Sequence, residues 1–102
     1  MCILANMLQT PLAVLRRASR FPRLTALAKE LGTRTTRISA IEAGRAETSD
    51  DFLGALAKAL GFRRDQVVAA YLEGRRAFLR REQRSIEERL VVVRSEMGRR
   101  SA

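Results

Sequence analysis

The chain has no histidine, no tryptophan and a single cysteine, Cys2. One cysteine cannot close a disulfide within the chain, and without a CxxC pair or a Cys/His cluster there is no ligand set for zinc. A reducing cytoplasm suits such a sequence. The missing histidine also removes the commonest general base. The serines at 19, 39, 49, 85, 95 and 101 have no usual base near them, and no P-loop is present. The acidic group Glu47, Asp50 and Asp51 fits helix-start chemistry better than catalysis. Neither an enzyme nor a bound cofactor or metal is expected. Long apolar runs are missing too. The opening MCILANMLQTPLAVL is apolar, but Thr10-Pro11 interrupts it and no basic leader precedes it. It is too short to span a bilayer and a poor signal peptide. Residues 1–9 are expected instead to place Ile3, Leu4 and Leu8 against the domain or a second copy, and Met7 is an alternative start. The aromatics are Phe21, Phe52, Phe62, Tyr71 and Phe78, most of them at core-like positions, so no base-stacking platform for RNA is visible.

What the chain has in excess is arginine. Nearly all of its 20 basic residues are Arg, giving a net charge of +9 and a pI near 11.5. That balance calls for a polyanionic partner, nucleic acid first and an anionic membrane surface second. At 102 residues the chain is long enough for one domain with a modest core and an appendage.

The punctuation is helical throughout. Thr10 can cap a first helix with Pro11 at its first position, turning Leu12, Leu15 and Ala18 inward and Arg16, Arg17 and Arg20 outward. Ser49 or Thr48 can cap a fourth helix, with Asp50 and Asp51 in its first turn, Phe52, Leu53, Leu56 and Leu60 inward, and Gly61 at its end. A fifth helix begins near Asp65 and uses Val67, Val68, Tyr71 and Leu72. Even Val91–Val93 lies within a helical pattern, so no strand is expected.

Between these come residues 24–44, LTALAKELGTRTTRISAIEAG, which have the layout of two short helices across a tight turn. Leu27, Leu31, Ile38 and Ile41 fall where the two must bury side chains against each other, Ala28 where they come closest, and Gly32 where the backbone needs positive φ. The second helix opens at Thr35, with Arg34, Thr35, Thr36, Arg37, Ala40 and Ala43 on its outer face. This is the layout of a helix-turn-helix with its recognition helix second.

The pairs Leu27-Ala28, Leu31-Gly32, Ile38-Ser39, Ile41-Glu42 and Gly44-Arg45, followed by Leu53 and Leu56–Gly61, resemble the Cro/repressor (Xre) type of DNA-binding domain over residues 12–72. Leu24 stands where that family usually has a phosphate-contacting glutamine, and Phe21-Pro22 where it tends to have glycine. Together with the helical punctuation, the resemblance implies a five-helix repressor-like DNA-binding domain over residues 10–74 of an all-α chain, and the change of composition past Gly74 adds a C-terminal helical extension over 75–102. The resemblance further implies a glutamate–arginine pair fixing the helix angle, between Glu42 and Arg17, or Arg16 if the register slips by one.

On the recognition face, Arg34 and Arg37 can bond guanine O6 and N7 bidentately, or else bind only phosphate. Thr36 can reach a base edge or a thymine methyl, and Thr35 can do the same or help cap the helix. Ala40 offers only a methyl, Ser39 flanks either as a phosphate ligand or as a residue simply tolerated in the helix, and Arg45 stands ready for a phosphate in the following loop. The expected partner is double-stranded DNA, bound as a palindromic operator by a homodimeric repressor, with no role for a membrane.

Past Gly74 the sequence becomes highly charged, yet Leu72, Leu79, Ile86 and Val93 recur every seven residues, with Leu90 and Met97 four after the last two. Arg76 and Gln83 occupy the earlier matching positions. That alternation of four and three is a coiled-coil seam, expected to join two copies. The alternatives are an amphipathic helix folded back on its own domain, or an antitoxin or adaptor whose C-terminal helix binds a different protein.

Overall fold

The structure, a computed structural model, describes residues 9–101, with side chains to Arg99. The apolar segment before Gln9, with Ile3, Leu4 and Leu8, lies outside the described residues. Five helices follow in order: α1 Pro11–Arg17, α2 Leu24–Leu31, α3 Thr35–Glu42, α4 Asp50–Leu60 and α5 Arg64–Ser101. Among the described residues there is no strand, and no helix is long and apolar enough to cross a membrane.

The caps explain the boundaries. The Thr10 side chain accepts a hydrogen bond from the Ala13 amide at 3.3 Å, and that of Ser49 accepts from the Phe52 amide at 3.2 Å, each satisfying one of the donors that a helix start leaves free. Gly32 ends α2 at φ 66° and Gly61 ends α4 at φ 82°, in the left-handed region that favours glycine. Arg20 donates to the Lys58 carbonyl at 3.2 Å, bringing a cation to the negative end of α4.

One core serves all five helices. Leu12, Leu27, Ala28, Ile38, Ile41, Leu53, Leu56, Ala57, Leu60, Val67, Ala70 and Tyr71 are buried in it. The first part of α5 packs against α4 and α1 and also touches α3, while α2 packs on α3 and α4. Of the residues expected at the α2–α3 crossing, Leu31 is only half-buried.

Three expectations are corrected. Ala18 is exposed rather than inward, because α1 stops at Arg17 and the chain turns away there. Arg16 is buried rather than outward, held by partners described below. Leu72 is 51% exposed: α5 turns Val67, Ala70 and Tyr71 to the core, which leaves the next position facing out.

The helix expected from Asp65 and the one expected from Arg75 are one unbroken helix of 38 residues. It does not fold back. The radius of gyration is 18.0 Å, against about 13 Å for a compact chain of this length, and the longest extent is 62 Å. The part of α5 from Leu79 on accounts for the difference, standing away from the domain with its side chains exposed as far as Arg99 except for half-buried Ser85.

Candidate nucleic-acid interface

The surface that the sequence marks is built around the start of α3. Arg34 is its N-cap residue, in extended conformation, and no side chain caps the helix. Thr35 therefore does not act as a cap, and it sits half-buried in the first turn. Arg34, Thr36 and Arg37 are exposed, with Ser39 and Ala40 half-buried beside them. One shallow groove is lined by Gly32, Thr33, Arg34, Thr36 and Arg37, and a second by Leu24, Thr35, Thr36, Ser39, Ala40 and Arg45. The seven residues singled out from the sequence thus share one continuous surface. Leu24, at the first position of α2, lies within it and presents no polar group.

The opposite face of α3 anchors this surface. Ile38 and Ile41 are each 1% exposed in the core. Beside them Glu42 accepts a hydrogen bond from Arg16 Nε at 2.6 Å, both side chains being almost wholly out of water. Arg16 also donates to the Pro22 carbonyl. Of the two arginines the sequence left open, then, it is Arg16 that pairs with Glu42, and Arg17 is exposed. Arg16 consequently ties α1, the α1–α2 connection and α3 together, so the angle of α3 is fixed by charge-assisted bonds as well as by apolar packing.

Three side chains make contacts that were missed from the sequence: Arg37, Arg75 and Tyr71. The guanidinium of Arg37 lies 5.2 Å from the centre of the Phe52 ring, a cation–π contact that holds this long side chain against α4. Arg75, on α5, donates to the Gly44 carbonyl at 2.8 Å and the Arg45 carbonyl at 3.2 Å, and reaches Glu47 at 3.3 Å. Tyr71 donates to the Ala46 carbonyl at 3.2 Å. Together Arg75 and Tyr71 fasten the loop that carries Arg45. No local periodicity signals these pairs, which are separated by 25 to 31 residues. The charged run around Arg75 merely looks like solvated surface.

Gly44 sits directly against the backbone of α5 at Gly74 and Arg75. Its φ is 79°, and a Cβ there would lie 2.4 Å from the Gly74 carbonyl oxygen. Only glycine satisfies both conditions.

Residues 23–67 match the family model described as Helix-turn-helix. This part of the chain is a DNA-binding domain of the Cro/C1, Xre-like type, the domain of transcription regulators. No curated protein and no solved structure matches the chain.

Proposed function

We propose that the protein is a sequence-specific transcriptional repressor that binds a palindromic operator as a homodimer, placing the N-terminal half of α3 in the major groove. The observation that carries this reading is the pairing of exposed Arg34, Thr36 and Arg37 at the start of a helix whose other face is locked into the core. In this reading Arg34, Thr36 and Arg37 read bases, Thr35 and Ser39 bond to the flanking backbone, Ala40 contacts a thymine methyl, and Arg45 binds phosphate from the loop. The domain works in the cytoplasm, and repression follows from occupying promoter DNA.

Selection of bound sequences from random duplex DNA tests specificity, symmetry and half-site spacing together. The expected product is a two-fold symmetric site with half-sites about 34 Å apart or a multiple of that. Arg34→Ala and Arg37→Ala should each lose about 1–3 kcal/mol of binding and relax preference at one base pair. An arginine that contacts only phosphate would weaken all sequences alike and reduce the salt slope by about one. If both variants bind the selected site as the parent does, α3 is not the recognition helix.

A further inference from the structure

The distal part of α5 carries a stripe in which Leu79, Ile86, Leu90 and Val93 are between 46% and 54% exposed. The charges that border this stripe follow a strict order. On one edge, each immediately after a member of the seven-residue series, stand Glu73, Arg80, Glu87 and Arg94. On the other edge, each immediately before the interleaved series, stand Arg75, Glu82, Arg89 and Glu96. Both edges alternate in sign at every heptad.

That alternation bears on how a second copy can lie along the helix. In a parallel, in-register pair, one edge of each helix meets the opposite edge of its partner five residues further on. Glu82 would then face Glu87 and Arg89 would face Arg94, each contact like-charged and occurring twice by symmetry, while Arg75 is already held by its own domain's loop. Arg76 would also meet its own copy within the seam. Reversing one helix changes each of these meetings, because like edges then run side by side and no seam residue faces itself. With the two copies centred between Arg84 and Ser85, Leu79 lies against Leu90 of the second copy, Gln83 against Ile86, and Arg76 against Val93. On the edge formed by Arg75, Glu82, Arg89 and Glu96, this register places Glu82 beside Arg89 of the second copy, with opposite charges about two residues apart in height.

We infer that the distal half of α5 is an antiparallel homodimerisation surface, with Leu79 and Leu90 packing across it and Glu82 paired to Arg89 of the second copy. This rests on the homodimer proposed above and adds its orientation. The two DNA-binding domains then sit at opposite ends of the paired helices. The two copies of Leu72 are separated along the axis by about 38 Å, close to one turn of DNA, whereas parallel helices would bring both domains to the same end.

The two orientations predict opposite signs for one substitution. Sedimentation equilibrium of the full chain is measured for the parent, for Glu82→Arg, and for Glu82→Arg with Arg89→Glu. Glu82 is exposed, so the reversal leaves the fold intact. The antiparallel pair predicts a dimer weakened roughly tenfold by Glu82→Arg and returned close to the parent by the double exchange. A parallel pair predicts a tighter dimer in both variants, since a Glu82–Glu87 repulsion is removed. A second measurement oxidises Leu79→Cys/Leu90→Cys in a Cys2→Ser background and maps the crosslinked peptides, for which the expected link joins position 79 to position 90. A parent that stays monomeric overturns the homodimer itself. A dimer that is tightened or unmoved by Glu82→Arg, or that links 79 to 79, overturns the orientation and leaves the homodimer standing.

Discussion

Among single residues, Arg16 and Glu42 have the most to lose. Their charges are already out of water, so removing one strands the other, and a one-sided break of such a pair costs about 3–5 kcal/mol. Arg16→Ala should therefore lower the urea midpoint far more than Arg17→Ala, whose side chain is exposed. The double replacement Arg16→Met with Glu42→Leu should recover much of the loss, because neither buried charge remains. Ile38→Asp places a carboxylate in the core with no partner and should unfold the domain, read as a lost cooperative melt by circular dichroism. Thr48 gives a change of the opposite sign. Its hydroxyl is buried without a hydrogen-bond partner, since Ser49 makes the cap, so Thr48→Val should leave the melting temperature unchanged or raise it.

At the level of elements, the sequence was most legible where one residue decides locally. Thr10, Gly32 and Gly61 act through their own backbone or the next turn, and all three bound helices where their chemistry requires. The all-α architecture and the helix-turn-helix followed from the same local logic, together with the spacing of Leu27, Ile38 and Ile41. Rotation about a helix axis was less legible. Arg16 and Leu72 were both misjudged, because a helix shared by several neighbours buries a face that its own apolar pattern only approximates, whereas Ala18 lies outside because α1 ends one residue before it. Least legible were contacts between distant segments: an arginine in a charged run carries no mark that it will fasten a loop 30 residues earlier. That fastening makes a specific expectation. Arg75→Ala should loosen the Gly44–Glu47 loop and weaken DNA binding without abolishing the fold, visible as faster amide exchange confined to that loop. A truncation meant to remove only the distal helix must accordingly retain Arg75. Cut after Ala77, the chain should keep its melt and its affinity for a single half-site while losing cooperative binding to two.

For the molecule as a whole, the decisive fact is that core residues and the exposed apolar stripe lie on the same helix. Tyr71 is buried in the domain and Leu79 faces away from it eight residues later, with continuous helical backbone between them. No flexible joint absorbs a mismatch. One alanine inserted between Ala77 and Phe78 should turn each domain about 100° around the helix axis and displace it by about 1.5 Å. Sedimentation should then report an unchanged dimer, while gel shifts on the selected palindrome should fall to the affinity of one half-site. The helix thus acts as a gear with coarse teeth. If two copies pair along this helix as proposed, the spacing and rotational phase of the sites they accept change only in whole-residue steps, and operators with one or two extra base pairs should be refused by geometry, even when both half-sites are perfect.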